Sequence, residues 1–120
     1  MKILIADDIV MIRKDIIRAL TEILPDAEFL QTGNADKAVE IVRQTEGIVL
    51  VIMDEDLGPW SMRGSQAIRE IRTFSEVPIV YFSSAPDSKL AEEADKLKVD
   101  MAYGLFEVSR VARRFHETAK

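Results

Sequence analysis

The sequence predicts an α/β fold, a doubly wound parallel sheet made of five successive βα units. Three observations predict it. Strand-like and helix-like segments alternate from end to end, three of the strand candidates are apolar almost throughout, and the glycines and prolines that break structure fall between the periodic segments. Near-continuous apolar runs are what a strand covered by helices on both faces requires, and parallel crossovers of one hand stack the helices on both sides.

The elements follow in order. Residues 2–6 form the first strand, and Ile12, Ile16, Ala19, Leu20 and Ile23 then share one helical face. A second strand over 27–31 leads to a helix carrying Ala35, Ala38, Val39 and Val42, with Asn34 as its N-cap. The third strand covers 49–53 and is followed by the helical set Ala67, Ile68 and Ile71. The fourth strand, 79–82, precedes Leu90, Ala91, Ala94 and Leu97, and a weaker fifth strand over 100–104 precedes Val108, Val111, Ala112 and Phe115. Pro25, Gly33, Gly47, Gly58-Pro59, Pro78 and Pro86 all fall in connections.

The chain of 120 residues has the size of a single domain, expected to span 1–120. It has no cysteine, which removes disulfides, thiolate metal sites and cysteine catalysis and agrees with a reducing, cytoplasmic setting. The apolar runs are far shorter than the roughly 20 residues of a membrane helix, so no membrane span is expected. The amino-terminal residues match neither a signal peptide nor a transit peptide. A formal charge of −5 argues against direct binding of nucleic acid, whose affinity comes largely from neutralised phosphates.

Ligands of doubly wound sheets bind beyond the carboxyl ends of the strands. Those positions hold Asp7 and Asp8, Asp54 to Asp56, Ser83 and Ser84, and Gly104 to Phe106. If the first and third strands are neighbours, at least three carboxylates converge. Two unit charges 4 Å apart repel by about 4 kcal/mol at an effective dielectric of 20, so such a cluster calls for a cation or a raised pKa. Oxygen-only ligation suits Mg²⁺ or Mn²⁺ rather than zinc.

Residues 3–8, Ile-Leu-Ile-Ala-Asp-Asp, resemble the opening strand and acid pair of bacterial response-regulator receiver domains. Residues 51–54, Val-Ile-Met-Asp, resemble their third strand with its phosphoacceptor aspartate, and residues 78–85 their fourth strand with its switch hydroxyl. The resemblance covers nearly the whole chain. It implies a flavodoxin-like (βα)5 sandwich with strand order 2-1-3-4-5, acting in two-component phosphorelay signalling rather than as an enzyme. Any chemistry of its own is limited to self-phosphorylation from small phosphodonors and self-dephosphorylation. By that likeness Asp54 is the phosphoacceptor and Ser83 the switch hydroxyl, beside which the small Ser84 leaves room. Asp8 and Asp54 bind Mg²⁺ directly, Asp7 partly through water, and Asp56 through its backbone carbonyl. Tyr103 corresponds to the aromatic that rotates on activation, with Ala102 as the alternative. The implied partners are a sensor histidine kinase or phosphotransfer protein and a downstream protein target, with a homodimer through the fourth and fifth helices a habit of the family.

Two departures stand out. Receivers carry a lysine at the end of strand five, whereas Tyr103-Gly104-Leu105-Phe106-Glu107 has none; its position falls on Leu105 or Phe106. The loop after strand three, containing Gly58-Pro59-Trp60-Ser61-Met62-Arg63-Gly64, is longer than usual. Arg63 and Lys89 are the candidates to supply the missing cation. Trp60 reads as a recognition residue or as packing over the pocket rim, His116 as an exposed helix-end cation, and Arg110, Arg113 and Arg114 as a solvated or partner-facing stripe. Three readings result. The first is a phosphorylatable receiver with no output domain after its fifth helix. The second is a degenerate receiver acting as a phosphorylation-independent interaction module. The third is a haloacid-dehalogenase-like phosphatase using Asp54 and Asp56.

Overall fold

The computed structural model describes residues 1–83, 88–102 and 104–118, with side chains except at 105, 106 and 118. Ser84, Pro86 and Tyr103 lie outside the described residues, as do the side chains of Leu105 and Phe106. Five strands, β1 (Lys2–Ala6), β2 (Glu28–Thr32), β3 (Ile48–Asp54), β4 (Ile79–Phe82) and β5 (Val99–Ala102), alternate with five helices. The helices are α1 (Val10–Ile23), α2 (Ala35–Gln44), α3 (Gly64–Ile71), α4 (Ser88–Leu97) and α5 (Leu105–Thr118). All strand pairs are parallel and the sheet order is β2-β1-β3-β4-β5, the doubly wound flavodoxin-like arrangement expected.

The apolar runs of the strands divide by parity between two cores. Leu4, Ala6, Val51, Met53, Ile79 and Tyr81 pack toward Val39 of α2, Ile68 of α3 and Leu90 of α4. Their neighbours Ile3, Ile5, Leu50, Ile52 and Val80 pack toward Ile16 and Leu20 of α1 and Val108 and Val111 of α5. A strand buried on both faces needs apolar residues at every position, which is why alternation is missing. Each side chain so enclosed contributes roughly 1.5–3 kcal/mol of transfer free energy.

Local signals behave as their chemistry requires. The Asn34 side chain accepts from the Lys37 amide at 2.9 Å and caps α2. Ala91, assigned by periodicity to the buried face of α4, is exposed, and Leu90 and Ala94 carry that face. The fifth strand is shorter than expected: it ends at Ala102, and Gly104 belongs to the next turn. The Gly104 carbonyl accepts from the amides of Glu107 and Val108, both at 3.1 Å, and so opens α5 instead of extending the sheet.

Candidate functional site

Strand register brings the acids together. Ala6 pairs with Met53 across β1 and β3, and Asp54 pairs with Phe82 across β3 and β4, so Asp7, Asp54 and Ser83 leave the sheet at one level. Carboxylate oxygens of Asp7, Asp8 and Asp54 lie within 4.8 Å of one another. Asp7 is buried, Asp54 half-buried and Asp8 exposed, so the cluster opens to solvent on one side only. Asp56 is exposed and its carboxylate is taken up by the Gly58 amide at 3.2 Å.

The charges do not sit comfortably without a counter-ion. Burial pushes the Asp54 carboxyl up to about 7, with the charges of Asp7, Asp8 and Asp56 adding to it and the Glu55 amide opposing it. Burial likewise raises Asp7, against the pull of the Ile9 amide and the Arg13 guanidinium. The Ile9 amide donates to Asp7 Oδ1 at 2.9 Å, while Oδ2 is buried without a hydrogen-bond partner among the described residues. A buried acceptor left unmatched costs about 1–3 kcal/mol, more when charged. A partnerless buried oxygen on a member of a cluster of hard oxygen donors is a feature expected of a small dication's site.

The structure adds residues that the sequence reading passed over. Arg13, on the first turns of α1, donates from Nη1 to the Asp7 carbonyl and from Nε to Gln31 Oε1 at 3.1 Å. Its only signal in the sequence is a cation about one turn beyond an acid pair. Glu55 accepts from the Ser65 amide at 2.8 Å and from the Ser65 hydroxyl at 3.2 Å, fixing the start of α3 directly beside the Asp54 peptide. A Cβ on Gly64 would stand 1.9 Å from the Asp54 carbonyl oxygen, so only glycine lets α3 begin there.

On the other side of the cluster, Ser83 is buried just beyond β4, its amide donating to the Ala102 carbonyl at 3.0 Å. The two candidate replacement cations differ in setting. Arg63 is 73% exposed and 3.9 Å from the Glu55 carboxylate, and Lys89 is exposed in the first turn of α4. The β3–α3 loop walls a cleft of about 590 Å³ lined by Glu55, Asp56, Pro59 and Arg63 among others, and Trp60 on that loop is 93% exposed. Trp60 therefore does not pack over the pocket rim. His116 is half-buried rather than exposed. In the basic stripe, Arg110 lies 3.7 Å from Glu107 and Arg114 3.7 Å from Asp100, which leaves Arg113 exposed between two surface ion pairs.

A doubly wound sheet with an acid cluster at the carboxyl ends of β1 and β3 and a buried hydroxyl beyond β4 defines a receiver-type signalling domain. The family profile of the response regulator receiver domain matches residues 3–103, and the chain belongs to that family. It is thus a receiver domain of two-component signalling, a family of signalling domains that bind Mg²⁺ through an aspartate cluster and work with histidine kinases and effectors. Among curated proteins it is similar to the glycerol metabolism activator of Pseudomonas putida, 28% identical over 94 residues, which are 78% of this chain. The match spans 42% of that relative's length. Among solved structures, the receiver domain of NtrX from Brucella abortus superposes with a TM-score of 0.75 at 26% identity, covering 97% of this chain and 98% of that one. A two-component response regulator from Clostridium difficile shares the fold with a TM-score of 0.78 at 17% identity, covering 99% and 98%. No helix among the described residues is long and apolar enough to cross a membrane.

Proposed function

We propose that the chain acts as one receiver unit in which Asp54 accepts a phosphoryl group and passes the signal to a protein partner. The observation that carries this is the convergence of Asp7, Asp8 and Asp54 within 4.8 Å, together with an Asp7 oxygen that has no hydrogen-bond partner among the described residues. On this reading Asp8 and Asp54 would hold the ion directly and Asp7 through water, with the Asp56 carbonyl as a further donor. Mg²⁺ or Mn²⁺ bound there supplies charge neutralisation for the nucleophile and the incoming phosphoryl oxygens.

An Asp54 carboxylate oxygen attacks phosphorus of a phosphohistidine or an acyl phosphate. The P–N or P–O bond to the donor breaks, and the leaving group takes the electron pair. In such transfers the protein mainly positions groups and stabilises charge, which asks only for a carboxylate nucleophile held in line. The Ser83 hydroxyl donates to a phosphoryl oxygen and draws its loop toward Asp54, a role supported by its burial just beyond β4. Tyr103 would report the change. The donor is a sensor histidine kinase or phosphotransfer protein, and the acceptor of the signal is a downstream protein.

Incubation with acetyl phosphate and Mg²⁺ followed by intact-protein mass measurement tests the reading. One phosphoryl group should be gained, and Asp54→Asn should gain none; an unmodified wild-type chain would sink it. If uptake survives Arg63→Ala and Lys89→Ala unchanged, neither residue replaces the absent lysine. That missing lysine favours a second reading, a receiver that acts as an interaction module without phosphorylation. It predicts a chain inert to acetyl phosphate. Turnover of a generic phosphomonoester would favour the phosphatase reading instead.

A further inference from the structure

The β3–α3 loop is longer than the family's usual one, yet it is tied down at specific points. Leu57 is buried in the core shared by α2 and α3, and Met62 packs against the same core. Between these two plugs the chain rises through Gly58, at φ +90°, and Pro59 to the exposed Trp60. That crest would be free to move if nothing but its own residues held it.

Hydrogen bonds run from the crest in two directions. Toward the acid cluster, the Gly58 amide donates to Asp56 Oδ1 at 3.2 Å and the Ser61 amide donates to the Gly58 carbonyl at 3.4 Å. Toward α2, the Ala35 amide donates to Ser61 Oγ at 2.8 Å, and Ser61 Oγ in turn donates to the Met62 carbonyl at 2.8 Å. The Met62 amide donates to Asp36 Oδ2 at 3.0 Å. Ala35 is the first residue of α2, and its amide has no partner within its own helix. Asn34 serves the Lys37 amide, and Ser61, far along the chain, serves Ala35. The result is an unbroken path from Asp56 through Gly58 and Ser61 to the start of α2.

We propose that Ser61 and Asp36 are positioning residues that latch the β3–α3 loop onto the amino end of α2 and so set the Asp56 carbonyl for a divalent cation beside Asp54. The proposal rests on the metal-assisted reading of the acid cluster. Neither residue touches the cation. Each acts through the backbone of 56–62, and with the latch open the metal must order that segment on binding, which weakens its affinity. A lost ordinary hydrogen bond changes an equilibrium constant about three- to tenfold.

Calorimetric titration of the full chain with Mg²⁺ tests it, beside hydrogen exchange of the metal-free protein. Ser61→Ala and Asp36→Ala should each weaken Mg²⁺ about three- to tenfold, and the double variant by less than the product, since both hold one loop. Ser61→Thr keeps a hydroxyl and Asp36→Asn keeps an acceptor, so both should bind as wild type. In Ser61→Ala the Ala35 amide should exchange faster. A purely structural role would lower the urea midpoint without moving Mg²⁺ affinity, and that result overturns the latch. If Asp36→Asn weakens binding as much as Asp36→Ala, charge at a distance replaces the latch and the proposal fails. A wild-type chain that binds no Mg²⁺ overturns the reading of the acid cluster as well, so the two failures are told apart.

Discussion

The two sides of the pocket are built differently. At the ends of β1 and β3 the backbone is held at several points: Asp7 by the Ile9 amide and Arg13, the Asp54 peptide by Gly64 against it, and the loop beyond by Glu55, Ser61 and Asp36. At the ends of β4 and β5 Ser83 is buried, and the sequence that follows β5 lacks the lysine of its family. On the proposed reading the first side would hold the cation and the nucleophile. The second is where a bound phosphoryl group would be sensed. On that reading, a domain with the acid side in place and no lysine on the other would accept a phosphoryl group more fully than it would switch on it. Moving a two-state equilibrium from 1:99 to 99:1 takes about 5.5 kcal/mol, and a lost charge-assisted hydrogen bond removes about 1.5–3 kcal/mol of that.

Four experiments break or sharpen this contrast. The largest effect is expected from Gly64→Ala, whose Cβ meets the Asp54 carbonyl oxygen at 1.9 Å and must displace backbone. Urea unfolding should show a loss of about 3 kcal/mol, with acetyl phosphate uptake abolished; a stable, active variant would mean that the first side tolerates movement. Next, restoring the cation by Leu105→Lys or Phe106→Lys, made separately, should move the phosphorylated form about 10- to 100-fold further toward its switched conformation for the correct position, as read by hydrogen exchange. No gain from either substitution would remove the lysine from the account of the second side.

The third effect concerns pH. In the metal-free fold Asp54 keeps its proton from 3.8 to about 7, a range in which the unfolded chain has lost it. Its contribution is therefore full below the unfolded pKa and lost as pH rises through about 7. Asp54→Asn has no such loss. At pH 8 without Mg²⁺ it should be more stable than wild type by about 2 kcal/mol, below the full linkage value because a half-exposed carboxylate is screened. Thermal melts at pH 5 and pH 8, with and without Mg²⁺, check this: the difference should fall to less than about half its pH 8 size at pH 5, and it should shrink when the metal is added at pH 8. Equal melts at pH 8 would show that the acid cluster carries no strain. The smallest effect belongs to Trp60→Ala. A side chain 93% exposed has little to lose, and stability should stay within about 0.5 kcal/mol in the same melts.

The sequence by itself determined the order of elements, the parallel sheet buried on both faces and the identity of the acids. Those features rest on local periodicity and on apolar runs such as 49–53, and period and polarity are properties of neighbouring residues. It also marked the departures, since a lysine is either present or absent in the chain. What only the tertiary structure decided are the relations between segments far apart in sequence: Arg13 on the Asp7 carbonyl, Gly64 against the Asp54 peptide, and Ser61 capping the Ala35 amide 26 residues away. It also ended β5 at Ala102, where the Gly104 carbonyl turns the chain into α5. A serine or an arginine carries no mark of which distant backbone group it will meet, because that pairing is set by how the layers pack and not by any local preference.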